Sequence, residues 1–281
     1  MTQAIQNPAQ TLFALSGRVA IITGGAGLLG YHHGVILAAA GAHVVLLDLP
    51  AADPAKRATQ LAETYAVDCL GLGVDITDEA GLKQILVQVL ERFGRVDILV
   101  NNAANNPKVE DSNGQGWSRL ENLPLEVWDA DIRVGLTGAF LCSRVFGAQM
   151  ARCRSGVIVN VASDLAVIAP DQRLYRVDGL EEDQQPVKPV TYSVVKTGLL
   201  GLTRYLATYW SSANVRVNAI SPGGVSNGQP EAFLNRLEPL IPMGRMAEKD
   251  EYQGAILFLC SDASSYMTGA NLIVDGGRTC W

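Results

Sequence analysis

From residue 19 onward the apolar positions alternate between two patterns. Short, mainly apolar runs at 19–22, 42–47, 69–74, 96–100, 157–161, 215–220 and 271–274 read as seven strands. The first, 19–22, is continuous and β-branched, which predicts a strand covered on both faces, the pattern of a parallel sheet. Between them lie helical segments. The clearest starts at Thr77, where Leu82, Ile85, Leu86, Val89, Leu90 and Phe93 fall on one face before Gly94 stops it. Others are predicted at 30–40, 54–65 (with Asp53 as cap and Pro54 at its first position), 125–151, 191–210, 231–240 and 248–260. Regular alternation of strand and helix predicts an α/β fold, a doubly wound parallel sheet of about seven strands with helices on both faces. A single domain spans 16–281, and residues 1–15 are predicted to be a loosely held tail.

Polar signals gather where these strands end. The first strand runs into Thr23, Gly24, Gly25, Ala26 and Gly27, and Gly30 opens the following helix. Such a strand, glycine turn and helix bring backbone N–H groups and a helix N-terminus to a pyrophosphate, the Rossmann arrangement. Asp48, at the end of the second strand, stands where a carboxylate accepts hydrogen bonds from the adenosine ribose. A carboxylate there repels a 2′-phosphate, so NAD is the expected cofactor, with Lys56 and Arg57 downstream as the counter-argument. Asp75, Asn101 and Ser163 also sit at strand ends, where ligands bind in open α/β sheets.

Composition narrows the class. The 281 residues carry a net charge of −6 with no basic cluster, which disfavours nucleic acid and anionic membrane as partners. No apolar run reaches about 18 residues, and the first fifteen lack a secretory pattern. Five scattered cysteines without a C-x-x-C pair read as reduced thiols of a cytoplasmic protein. His32, His33 and His43 all lie in the first βαβ unit, so neither a Ser-His-Asp site nor a metal site is expected.

Tyr192 and Lys196, four apart, share a helix face. A phenol with pKa near 10 needs cations beside it to exchange protons at neutral pH, and an ammonium supplies one. Ser163, at the end of the fifth strand, is placed to hydrogen-bond a substrate oxygen.

With these residues in view the chain resembles the short-chain dehydrogenase/reductase family, in its compact single-domain branch, from Gly17 to Gly277. The resemblance implies catalytic roles for Ser163, Tyr192 and Lys196. It implies cofactor contacts at Gly24, Gly27, Leu28, Leu29, Gly30 and Asp48, at Asp75 and Ile76 beside the adenine, and at Asn102, Ala103 and Ala104. Tyr192, Lys196, Pro222, Gly223 and Val225 complete that set. It further implies a homotetramer. Three departures stand out. The turn reads T-G-x-x-G-x-x-G, with Leu28 in place of a glycine, a spacing commoner among sugar-nucleotide epimerases and dehydratases. Gly135 occupies the position of the family's catalytic asparagine. Ser163 and Tyr192 are 29 positions apart rather than about a dozen, so 169–189 is an insertion beside the pocket. That insertion carries Arg173, Arg176, Lys188 and the acidic run Glu181 to Asp183. It reads either as a solvated loop or as a cap over a polar substrate touched by Asn105, Asp164, Arg173, Arg176 and Gly224.

The expected activity is NAD-dependent interconversion of a secondary alcohol and a ketone on a small molecule, a sugar, sugar acid or polyol derivative. Similarity to dehydrogenases of bacterial surface-sugar and flagellin-glycan synthesis supports that class. Two alternatives stay open: an epimerase or dehydratase retaining its NAD, and a non-catalytic NAD sensor.

Overall fold

The computed structural model describes residues 7–105 and 116–281. Seven strands form one wholly parallel sheet: β1 Val19–Thr23, β2 His43–Asp48, β3 Cys69–Gly73, β4 Ile98–Asn101, β5 Gly156–Val161, β6 Val215–Pro222 and β7 Asn271–Val274. Their order is β3-β2-β1-β4-β5-β6-β7. The chain therefore builds outward from β1 in one direction, then returns to β4 and builds in the other. Carboxyl ends of β1 and β4 lie side by side where the direction reverses, and the crevice there is the binding position of such sheets. The unbroken apolar runs behave as their composition requires. All five residues of β1 are buried, as are the four central residues of β2.

Helices cover both faces. The first face takes α4 (Glu79–Phe93), a helix running from α5 (Leu125–Ile132) through α6 (Ala139–Cys142) to α7 (Ala148–Cys153), and α8 (Val190–Tyr209). The second takes α2 (Leu28–Ala39), α3 (Pro54–Tyr65) and α10 (Gln253–Cys260). Between α5 and α7 the helix widens into π-turns at Arg133–Gly138 and Ser143–Gly147. A buried polar row threads this face: Asn101 donates to Asn160 at 2.8 Å and to Ser143 at 3.1 Å, and Asn160 donates to Thr203 at 2.8 Å. A third, smaller cluster lies apart from both cores. There Leu174 of the inserted segment packs with Leu237, Ile241 and Met246, beside Tyr175 and Phe233; α9 (Glu231–Leu237) supplies Phe233 and Leu237.

Some boundaries differ from expectation. The segment predicted as a loose tail contains a short helix, α1 (Pro8–Phe13), capped by Asn7, and Leu15 is wholly buried in the second core; residues 1–6 lie outside the description. The last long helix begins at Gln253 rather than 248, because the Glu251 carboxylate turns back to accept from the Glu248 amide and the Arg245 guanidinium. The insertion is not uniformly irregular either. It contains 3₁₀ turns at Gln172–Tyr175 and Glu182–Gln184. The Gln185 amide ties it together, accepting from Val177 N–H at 2.9 Å and donating to the carbonyls of Val177 and Leu180.

Among the described residues no helix is long and apolar enough to cross a membrane, and no group of three or more His, Cys, Asp or Glu side chains is placed to hold a metal ion. His33 is fully buried on α2, and burial holds it neutral, its pKa pushed down to about 3.

Candidate active site

The glycine turn forms the floor of one half of the crevice. Gly24 has φ +61°, and a Cβ on Gly30 would stand 2.1 Å from the Gly24 carbonyl, so no larger residue fits either position. Gly27 is the N-cap of α2 and offers no side chain, so the first-turn N–H groups face the crevice without a cap. The Asp48 carboxylate sits against this turn, accepting from Ala26 N–H at 3.0 Å and Leu49 N–H at 2.8 Å. Asn102 fixes the other wall: its side chain donates to the carbonyls of Thr23 and Gly24. Its own N–H and that of Ala103 both donate to the Thr23 hydroxyl. Asp75 accepts from Thr77 N–H, and Ile76 is buried in the first core. A turn with this donor set, a helix N-terminus and a carboxylate at the end of β2 fits the pyrophosphate and ribose of a dinucleotide.

The other half is a cavity of about 520 Å³. Ser163, Tyr192 and Lys196 all line it, with Leu28, Leu29, Asn102, Ala104, Asp164, Pro222, Gly223, Gly224 and Val225 from the sequence reading. Ser163 follows β5 and caps a 3₁₀ turn. Its hydroxyl donates to Asp164 Oδ1 at 2.8 Å and accepts from Leu165 N–H at 3.2 Å and from the Tyr192 hydroxyl at 3.4 Å. Lys196 is buried one helical turn beyond Tyr192 and donates to the Val161 carbonyl at 2.8 Å. Burial drives the electrostatics. It pushes the Tyr192 phenol up, opposed by the Ser163 hydrogen bond, and pushes the Lys196 ammonium down to about 8, helped by the neighbouring Lys188.

Several lining groups were not expected. Lys188 places its ammonium 3.9 Å from the centre of the Tyr192 ring. Arg278, from beyond β7, reaches Asp164 Oδ2 at 2.8 Å, and both partners are buried. Tyr175, Asn227, Gln229, Pro230 and Phe233 complete the mouth. The Tyr252 hydroxyl props the Gly223 carbonyl from behind.

Three expected substrate residues are placed elsewhere. Arg173 is held by Asp171, two positions away, with most of its side chain in solvent. Arg176 is taken by Glu182. Asn105 donates to Asp131 at 2.9 Å, and Asp131 in turn accepts from Thr191 at 2.5 Å, so this amide supports the start of α8 instead of facing the cavity. The two arginines found carboxylates within six residues, cheaper to reach than a pocket across the fold. Gly24, Gly27, Gly30, Asp48, Asp75, Ile76 and Ala103 lie outside the cavity lining, towards the dinucleotide half. Gly135 sits in the first π-turn, and a Cβ there would come within 2.5 Å of Val195, so the chain leaves no room for an asparagine.

Comparison with known proteins follows the same lines. A short chain dehydrogenase family matches residues 18–175, and an enoyl-(acyl carrier protein) reductase family matches 182–279. The chain is 34% identical over 287 residues to D-threitol dehydrogenase of Mycolicibacterium smegmatis, covering 99% of each. It is 33% identical over 272 residues to an NAD-dependent glycerol dehydrogenase of Listeria innocua, covering 95% of this chain and 96% of that one. A solved gluconate 5-dehydrogenase from Burkholderia cenocepacia, in complex with NADP and tartrate, superposes with a TM-score of 0.81 at 26% identity, covering 97% and 99%. With this sheet order, this glycine turn and these matches along nearly its whole length, the chain belongs to the short-chain dehydrogenase/reductase family.

Proposed function

We propose that the protein is an NAD-dependent dehydrogenase interconverting a secondary alcohol and a ketone on a polyol, sugar or sugar acid. The observation that carries this is the contact of the Tyr192 and Ser163 hydroxyls, 3.4 Å apart, at the wall of a polar cavity beside the glycine turn. A bound nicotinamide dinucleotide supplies the hydride acceptor or donor. Tyr192 exchanges the proton at the substrate oxygen, a contribution of about 10² to 10⁴ in rate. Ser163 orients that oxygen, and Lys196 favours the phenolate. Hydroxylated substrates are supported by the polar lining, which includes Ser163, Asn227 and Gln229 beside the buried Asp164–Arg278 pair. The names of the threitol and glycerol dehydrogenases and of the gluconate enzyme point to the same class.

Leu28, Leu29 and Gly30 would hold the pyrophosphate, and Asp48 the adenosine ribose. Asp75 and Ile76 would flank the adenine; Asn102, Ala103, Ala104, Pro222, Gly223 and Val225 would border the nicotinamide side. NAD is preferred over NADP because the Asp48 carboxylate, already bonded to two backbone N–H groups, opposes a 2′-phosphate. A cytoplasmic homotetramer is the assembly in this reading, supported by the exposed Tyr205–Tyr209 stack on α8 and the exposed Ile273 and Tyr266 around β7. The test is nicotinamide absorbance with NAD or NADP across polyols, sugars, sugar acids and apolar alcohols, with Tyr192→Phe as control. NADH formed from a hydroxylated substrate and lost in the variant is expected. Turnover confined to apolar alcohols would overturn the substrate class.

A further inference from the structure

Lys188 lies at the end of the inserted segment 169–189, and its backbone is tied on both sides. The Gln172 amide oxygen accepts from the Lys188 N–H at 2.8 Å, and the same side chain donates back to the Lys188 carbonyl at 3.5 Å. On one side Val187 N–H donates to Ser118; on the other Pro189 is the N-cap of α8, its φ of −56° set by the ring. These contacts hold the Lys188 backbone beside the cavity, and its ammonium lies over the face of the Tyr192 ring, 3.9 Å from its centre. Lys196, four residues after the tyrosine, places a second ammonium 5.8 Å from the same centre. The tyrosine lies between two lysines, four residues before and four after it.

We propose that Lys188 is a positioning residue for proton transfer, which with Lys196 brackets the Tyr192 ring and stabilises its phenolate form. The inference rests on Tyr192 being the proton-exchanging group. A cation over an aromatic face is attracted by the ring quadrupole, and the attraction grows when the ring carries a full negative charge. Burial pushes this phenol up, and positive charge beside the ring acts in the opposite direction. The family's asparagine is replaced by Gly135, and among the described groups at the tyrosine it is Lys188 that adds positive charge at the ring face.

Among the described residues, charges from several packed elements act on this pair. Asp131 of α5 and Asp164 after β5 both act to keep Lys188 protonated against burial, which pushes it down to about 8. Asp164 opposes ionisation of Tyr192, and Arg278 answers Asp164. Tyr175 and Tyr252 lie close enough for the charge of Tyr192 to act on them, and burial pushes both phenols up. Lys196 feels Lys188 as a like charge. Removing Lys188 therefore withdraws one cation from the phenolate and relieves Lys196.

The experiment is the pH dependence of kcat/KM for alcohol oxidation in the wild type, Lys188→Met, Lys188→Gln, Lys188→Arg and Tyr192→Phe. A tyrosinate absorbance titration of each without turnover runs alongside. In Lys188→Met and Lys188→Gln the limb reporting Tyr192 should move to higher pH by about one unit, leaving roughly a tenth of the activity at neutral pH. The tyrosinate titration lost in Tyr192→Phe should move by the same amount, and Lys188→Arg should keep both near wild type. An unmoved limb in folded Lys188→Met and Lys188→Gln, or a loss confined to KM, overturns the proposal. Full activity in Tyr192→Phe would overturn the proposed function and this inference with it; an inactive Tyr192→Phe beside an unmoved Lys188→Met limb overturns this inference alone.

Discussion

Arg278 and Asp164, 114 positions apart, meet in a pair with both side chains buried. Consider Arg278→Met, which keeps much of the volume and deletes the charge. At 2.8 Å and an effective dielectric near 20, the attraction is about 6 kcal/mol before desolvation is counted. Removing one partner of a buried pair costs about 3–5 kcal/mol, because the remaining carboxylate stays desolvated. Asp164 retains two donors, Ser163 and Leu165 N–H, each at 2.8 Å, so the lower end, about 3 kcal/mol, is expected. For a chain of this size that corresponds to a fall in Tm of roughly 6–10 °C. Activity should fall as well. A carboxylate without its arginine draws harder on the Ser163 hydrogen, which leaves that hydroxyl less able to donate to a substrate oxygen. We expect kcat/KM to drop about tenfold, which is about 1.4 kcal/mol of transition-state stabilisation. The assay is a double-mutant cycle, with equilibrium unfolding and kinetics of Arg278→Met, Asp164→Asn and the pair. The double variant should be more stable than the single effects sum to, by about 1–3 kcal/mol. A Tm within 1 °C of wild type, or a coupling below about 0.5 kcal/mol, would refute the reasoning.

Three further outcomes can be checked directly. Gly135→Asn should destabilise by about 1–3 kcal/mol in urea unfolding, because its Cβ meets Val195 at 2.5 Å; adding Val195→Ala should recover much of that loss. Asp48→Ser should lower kcat/KM with NAD about tenfold and raise the NADP to NAD ratio by at least as much, since the repelling carboxylate and its bonds to Ala26 and Leu49 are both lost. His33 is neutral in the fold down to about pH 3, whereas the unfolded imidazole takes a proton near 6.5. Below pH 6.5 the unfolded state binds the extra proton, so stability falls with falling pH by up to about 1.4 kcal/mol per unit and levels off near 3. His33→Leu should remove that slope between pH 6 and 4; an identical slope in the variant would disprove the assignment.

The parallel sheet was readable because strands buried on both faces leave largely apolar runs, and because the polar groups fell at strand ends; the strand order was not read from the sequence and came from the structure. Ser163, Tyr192 and Lys196 were readable from spacing and resemblance together, and all three line one cavity. The inserted segment was legible as an insertion but not as a structure. Its charges suggested Arg173 and Arg176 as substrate contacts, yet Asp171 and Glu182, close in sequence, were the signal that both would pair locally. Lys188 lies four residues before Tyr192, and that spacing was the signal that could have marked it as a neighbour of the ring. Arg278 gave no local sign at all. Its partner lies across the fold, and periodicity carries no information about such a contact.

The small cluster of Leu174, Leu237, Ile241 and Met246 divides the molecule thermodynamically. The side chains proposed to act on substrate follow β5 or lie on α8, which are packed into the main cores, while the mouth of the cavity is held by this separate cluster and by ion pairs such as Arg236 with Asp178. Elements with few buried apolar neighbours open at lower free energy than the cores they border. Amide hydrogens of 172–176 and 231–241 will therefore exchange together, earlier than those of β5. Substrate can pass while the floor of the site keeps its shape. By the same partition, residues at the mouth can be exchanged to alter the size of molecule admitted, with the cost falling on a local opening equilibrium and leaving global unfolding nearly untouched.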